Sequence, residues 1–105
     1  MTDIPDLSVA RSVIDELIRL AAMEVPGVVR VDGSGRGWSA GLIGRRAVSR
    51  IDGRRVDVRL AIVARPGHPL VPLTRQVRAA AAAAIERLVG LEAGRILIVV
   101  ADVGV

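Results

Sequence analysis

Residues 54 to 64 alternate between apolar and polar or small side chains, and this pattern constrains the fold more than any other feature of the chain. A period of two residues predicts a β-strand with one buried face and one exposed face. The alternation fades toward Val63, which indicates that the strand becomes more buried as it proceeds. The predicted core positions of this strand are Val56, Val58, Leu60 and Ile62.

The dipeptide Asp52-Gly53 lies just before this strand and predicts a tight β-hairpin. Aspartate and glycine both tolerate the positive φ that two-residue hairpin turns require. We therefore expect two antiparallel strands, Arg45–Ile51 and Arg54–Ala64, joined by this turn. In that register Arg50 lies opposite Arg55, Val48 lies opposite Asp57, and Arg46 lies opposite Arg59.

Two segments have the apolar spacing of amphipathic helices. The first, Val9–Glu24, is ended by Pro26, because proline disfavours the helical conformation of the residue before it. The second, Val71–Val89, ends at Gly90, a residue type common just after helices. The apolar stripe of the first helix consists of Val9, Val13, Leu17 and Leu20, with Ile14 and Ile18 beside it.

Two further strands, Val28–Asp32 and Arg95–Val103, complete the order α-β-β-β-α-β. The economical packing is a two-layer α+β fold, with two helices on one face of a small mixed sheet. A right-handed crossover through the second helix makes the last strand parallel to the third. We expect residues 1–8 to form an N-terminal tail and residues 9–105 to form one domain.

The composition argues against an enzyme. The absence of cysteine excludes a disulfide scaffold, a thiolate zinc site and a thiol nucleophile. The single histidine, His68, has no orienting carboxylate beside it in the sequence and is predicted to be a surface residue. The glycine-rich segment Gly33–Gly44 lacks the Gly-Lys-Ser/Thr ending of a phosphate-binding loop. We therefore expect no catalytic residue, metal, cofactor or small-molecule substrate.

The chain has no sequence signal for crossing or entering a membrane. Its longest apolar runs, Ala79–Ile85 and Ile96–Ala101, are far shorter than the roughly 20 residues of a membrane-spanning helix. The acidic start, Met1–Asp6, lacks the order of a signal peptide. We expect a soluble cytoplasmic protein that reaches the membrane through a partner or a surface.

The basic character is concentrated in the middle of the chain. Residues 36 to 65 hold eight arginines against two acids, whereas the remaining seven arginines face nine acids, and the two parts give the net charge of +4. On the predicted hairpin, Arg46, Arg50, Arg55 and Arg59 lie on the open face of the sheet. This patch is interpreted either as a solvated face that discourages aggregation, or as a site for an acidic protein or sister subunit, or for nucleic acid or anionic lipid.

Trp38 is the only aromatic residue and lies in the glycine-rich segment. It is a candidate core anchor or an exposed contact for a partner chain or the membrane interface. Its glycine neighbours favour the exposed contact.

Several segments in order resemble the alkaline shock protein family: Ala21–Val28, the glycine-rich stretch after it, Val56–Val63, and Ile85–Leu91 before a valine-rich last strand. The resemblance covers about residues 9 to 103. It implies a non-enzymatic bacterial protein of the envelope stress response that self-associates and docks on a membrane-anchored partner. It implies no catalytic or cofactor-binding residue. The arginine content and the proline-rich connector Pro66–Pro69 depart from the family pattern.

An RNA-binding domain is the alternative function. Its support is the basic patch, since phosphate contacts supply most non-specific affinity for nucleic acid. Single-strand binders also use stacking aromatic side chains, of which this chain has one. The sequence therefore favours an interaction or scaffold protein.

Overall fold

The structure, a computed structural model, describes residues 7–31 and 47–104. Within them the order of elements is α-β-β-β-α-β, as predicted. Helix α1 spans Leu7–Met23, strand β1 Val28–Val31, β2 Ala47–Asp52, β3 Arg55–Ala64, helix α2 Leu70–Ala84 and β4 Glu92–Val103. Helix α2 continues as a five-residue π-helical segment, Ile85–Val89, which ends at Gly90 in left-handed backbone.

Strand β3 is the centre of the sheet. Strand β4 pairs with it in parallel from Arg55 to Ala64, which confirms the predicted direction of the last strand. Strands β2 and β1 are antiparallel to β3 and pair with successive parts of it, Arg55–Leu60 and Ile62–Ala64. Because a strand has only two edges, β2 and β1 follow one another along the edge that β4 does not occupy. The sheet is mixed and the fold is α+β, as expected.

The hairpin turn differs from the predicted one by one residue. Asp52 pairs with Arg55, so the two central turn residues are Gly53 and Arg54. Gly53 has a φ of 62° and takes the first central position, where the favoured hairpin turns need positive φ. The predicted cross-strand pairs are therefore wrong. Arg50 lies opposite Asp57, and Val48 lies opposite Arg59.

The core lies between the sheet and the two helices and contains no aromatic side chain among the described residues. The four alternating positions predicted for β3 are all buried, with exposures of 0 to 4%. The core residues of the sheet and helices include Val56, Val58, Leu60, Ile62, Ile96, Ile98, Leu73, Val77 and Ala81. An aliphatic interior agrees with the composition, because the sequence contains one tryptophan and no phenylalanine or tyrosine.

Helix α1 faces the core with only one side of the predicted stripe, the side of Ile14 and Ile18. Ile14, Ile18 and Ala22 are buried, whereas Val13 is 54% exposed and Leu20 is 47% exposed. The apolar surface of α1 is wider than the strip that the sheet and α2 cover, so its sequence pattern alone did not identify the buried side.

The connector between β3 and α2 folds back onto the turn between α1 and β1. The backbone N–H of Arg65 donates to the carbonyl of Gly27 at 2.8 Å. Gly27 has a φ of 102°, and a Cβ there would lie 2.5 Å from Nε2 of His68. His68, expected at the surface, is thus half-buried over a glycine that leaves room for its ring.

Candidate interaction surface

The sheet has a second face, opposite the helices, and we call it the open face. It is formed by the outward residues of the three strands β2, β3 and β4. Residues whose backbones pair directly point their side chains to the same face, so the register identifies its members. They include Arg50, Asp52, Arg55, Asp57, Arg59 and Leu97.

Asp57 joins β3 to β4 on this face. Its Oδ1 accepts a hydrogen bond from the backbone N–H of Arg95 at 2.8 Å and another from Nε of Arg55 at 3.1 Å. The hydrogen bond from Arg95 is the main cause that lowers the pKa of Asp57 below its ordinary value, and the charge of Arg55 lowers it further. Asp57 therefore holds the two strands together as an ionised carboxylate.

A β-bulge gives Asp57 this partner. Val56 pairs with Ala93 and Val58 with Ile96, so β4 places two residues, Gly94 and Arg95, opposite Asp57. A Cβ on Gly94 would collide with Oδ1 of Asp57 and with Nε of Arg55. Glycine within a strand often marks a bulge or a close approach. Gly94 was the available sequence signal for this contact, and the sequence reasoning missed it.

The candidate arginines are only partly brought together by the described residues. Arg50, Arg55 and Arg59 are exposed on the open face. Arg46 and Trp38 lie outside the described residues, so both stay sequence-based predictions.

The open face is less basic than the sequence suggested. Arg50 lies opposite Asp57, and Arg55 lies opposite Asp52 on one side and Glu92 on the other. Among the described residues, the part of this face from Arg55 to Arg59 thus holds four arginines (Arg50, Arg55, Arg59 and Arg95) and three carboxylates (Asp52, Asp57 and Glu92), a balance of 4 − 3 = +1. Asp57 is not the only carboxylate among these arginines, because the shifted register brings Asp52 onto the same face.

Arg59 differs from the other two described arginines of the patch. Its directly paired neighbours are Val48 and Leu97, so no described carboxylate lies opposite it. Leu97 is 47% exposed. Beyond this point the paired residues are Ala61 and Val99, so the open face has an apolar step before Val63, which pairs with Arg30 and Asp102.

The end of β3 is buried on both faces. Ile62, Val63 and Ala64 have exposures of 0 to 1%. This confirms the interpretation of the fading alternation in the sequence, and it places the exposed part of β3 on the open face at Arg55 and Arg59.

A groove of about 460 Å³ lies elsewhere, between the end of α1 and α2, and is lined in part by Glu24, His68 and Gln76. Across residues 7–31 and 47–104, no three side chains of the metal-ligating types come together. No helix in those same ranges has the length and apolarity required to cross a bilayer.

Solved structures with this fold include several variants of one domain, MamM CTD. A methionine-to-leucine variant shares 19% identity and a TM-score of 0.56, covering 87% of this chain and 95% of its own. A variant with two alanine substitutions shares 17% identity and a TM-score of 0.58, covering 90% and 95%. A nickel form of a further variant shares 18% identity and a TM-score of 0.56. These likenesses show the fold, and the nickel belongs to that protein.

No curated protein matches the sequence. A family model does match, over residues 2–105, and its description is a cell envelope-related function. The match covers nearly the whole chain, including the segments that carry the resemblance to the alkaline shock protein family. The chain belongs to the alkaline shock protein 23 family.

Proposed function

We propose that this chain is a non-enzymatic interaction and scaffold domain of the cell-envelope stress response. It self-associates and docks on a membrane-anchored partner, which holds it at the cytoplasmic side of the cell membrane. The observation that carries the proposal is the pairing of exposed Arg59 with exposed Leu97 on the open face of the sheet.

Arg59 and Leu97 have the chemistry of a protein contact. Arginine is enriched at the centres of protein interfaces, where an apolar neighbour excludes water from its ion pairs. Arg59 has an apolar residue opposite it on each side, whereas Arg50 and Arg55 each face a carboxylate. An acidic side chain of a partner would therefore meet an uncompensated guanidinium beside an apolar surface.

The family supports the non-enzymatic part of the proposal, since its function is described by the cell envelope and not by a reaction. His68 packs over Gly27 at the edge of the groove, and the described residues that line the groove include one carboxylate, Glu24, and no nucleophilic side chain.

RNA binding is the competing function, and the exposed Arg50 and Arg59 are its support. Among the described residues, the balance of +1 on the charged part of the open face weakens the case for RNA binding, because non-specific affinity for nucleic acid depends on the number of phosphates neutralised. A face that alternates arginine with carboxylate repels a polyanion at every second position.

Two solution measurements on the purified chain separate these functions. Sedimentation velocity over a range of concentrations is expected to show a defined oligomer, and fluorescence anisotropy with a random-sequence RNA at about 150 mM salt is expected to show no binding. A monomer at every concentration would contradict the scaffold. Micromolar RNA binding that weakens in Arg59→Glu but not in Arg75→Glu would favour the RNA-binding domain instead.

A further inference from the structure

The outer edge of β4 is the longest unpaired strand edge in the described residues. Strand β4 has 12 residues and pairs only with β3. Edge strands are commonly protected by charges, by proline or by being short. The six residues Ile96–Ala101 contain no charge, no proline and no glycine. Such a strand is a template for pairing with another strand.

One contact shows which backbone groups face outward. Nε of Arg78 on α2 donates to the carbonyl of Ile96 at 3.3 Å. Backbone groups of alternate residues in a strand point to the same edge. The N–H and C=O groups of Ile98 and Val100 are therefore expected at the outer edge, beyond the one carbonyl that Arg78 covers.

The side chains along this edge suit a buried contact. Leu97 is 47% exposed and Val103 is 46% exposed, both on β4. Val99 and Val100 are half-buried, and β3 is their only neighbouring strand in the part of the chain that the structure describes. A further strand beside them would cover apolar surface on both faces of the sheet, which contributes about 25 cal/mol per Å² removed from water.

The charges on β4 select the partner and the direction. The strand carries Glu92 and Arg95 near its start and Asp102 near its end. A parallel copy in register would place each charged residue beside the same residue of the other copy, and this repulsion between like charges is destabilising. In an antiparallel copy centred on Ile98, Asp102 lies opposite Gly94 of the other strand, one position from Arg95 and two from Glu92. The nearer charge is therefore the opposite one, and this pair occurs twice across the two-fold axis.

We propose that β4 is a dimerisation edge, which pairs antiparallel with β4 of a second copy and joins the two sheets into one. The axis passes perpendicular to the sheet near Ile98, so that Leu97 lies opposite Val99 of the second copy and Arg95 lies diagonal to Asp102. Pairing about a single residue keeps core-facing side chains opposite core-facing ones, because the side-chain period is two. The inference rests on the self-association proposed above and adds its location and geometry.

Charge reversal tests the pairing. Arg95→Glu and Asp102→Lys each set like charges together twice per dimer, and each is expected to weaken the dimer by about fivefold to thirtyfold in sedimentation equilibrium. The double variant restores the opposite charges and is expected to recover the wild-type dissociation constant. Arg87→Glu, a charge reversal at an exposed position of the π-helical segment, is the matched control and is expected to leave the dissociation constant unchanged.

Cysteine cross-linking gives a second readout, because the natural chain has no cysteine. Leu97→Cys, Ile98→Cys and Val99→Cys are oxidised separately after circular dichroism has shown that each is folded. Position 98 lies at the axis, so the Cα atoms of this position in the two copies are about 5.5 Å apart, which is within the reach of a disulfide. Ile98→Cys is therefore expected to cross-link most.

The outcomes separate this inference from the proposed function. An oligomer that persists in Leu97→Lys and all charge variants, with no cross-link from β4, overturns the edge pairing while leaving self-association intact. A wild-type chain that is monomeric at every concentration overturns both. Rescue by the double variant, together with cross-linking centred at position 98, supports the edge.

Discussion

Oδ1 of Asp57 on β3 accepts a hydrogen bond of 2.8 Å from the backbone N–H of Arg95 on β4. The same oxygen accepts Nε of Arg55, and Gly94 supplies the space for both. This contact fixes the bulge at the start of β4 and with it the register of the open face. The position of Arg59 beside Leu97 depends on that register.

Replacing Asp57 should reduce the dependence of stability on pH. The pKa of Asp57 is lower in the folded chain than in the unfolded chain, so its contribution to the free energy of unfolding is present above the unfolded pKa of about 3.9. It is lost as the pH falls through the lower folded pKa. We expect Asp57→Asn to be less stable than wild type at neutral pH, with a difference that shrinks in acid.

Urea denaturation in steps from about pH 7 to about pH 2 measures this difference. Asp52→Asn is the matched control, because Asp52 lies on β2 and β3 separates it from β4. A gap between Asp57→Asn and wild type that is constant across the whole series would contradict an ionised bridge.

A side chain at Gly94 should break the contact of Asp57 between the strands. A Cβ there meets the side chains of Asp57 and Arg55, so Gly94→Ala must push them aside. We expect a loss of about 0.5 to 1.5 kcal/mol in the free energy of unfolding, the usual net contribution of a hydrogen bond. Gly104→Ala is the control, since a Cβ at Gly104 meets nothing within 4 Å. Equal stability of the two variants in thermal denaturation would show that the space at Gly94 is not needed.

Gly27 tests the packing of His68. Gly27→Ala suffers both from its φ of 102° and from a Cβ 2.5 Å from the imidazole, whereas Gly67→Ala suffers only from its φ of 78°. We expect Gly67→Ala to cost about 1 kcal/mol and Gly27→Ala to cost more. Adding His68→Ala should recover part of the cost of Gly27→Ala. If it recovers none, His68 does not pack over Gly27.

Helix α1 should show two classes of apolar residue. Ile18 has an exposure of 0%, so Ile18→Ala is expected to cost about 2 to 5 kcal/mol in unfolding free energy. Leu20 is 47% exposed, and Leu20→Ala should change the free energy of unfolding by about 0.5 kcal/mol. Chemical denaturation measures both. A larger loss at Leu20 than at Ile18 would restore the stripe predicted from the sequence.

The sequence was sufficient for the order of the elements and for the core of β3. Strong alternation at Val56 to Ile62 and helix-ending residues at Pro26 and Gly90 are local signals, and each one matched the structure. The buried side of α1 was not predictable in the same way. Its apolar stripe exceeds the surface that the sheet covers, and only tertiary packing decides between Ile18 and Leu20.

The open face was half predictable. The side of β3 that carries Arg55 and Arg59 follows from alternation alone, whereas the residues opposite them depend on the turn. Placing Gly53 second in the turn instead of first moved every cross-strand pair by two residues. That error hid the pairing of Arg50 with Asp57 and made the face look more basic than it is.

The central claim is that the open face docks the chain on an envelope-bound partner, and membrane fractionation of the bacterium that encodes it tests this most directly. We predict that the tagged chain sediments with membranes after envelope stress and that Arg59→Glu releases it. Arg75→Glu, an equal charge change on exposed α2, should stay with the membranes. A wild-type chain that remains in the supernatant, or an Arg59→Glu variant that sediments as fully as Arg75→Glu, would contradict the account.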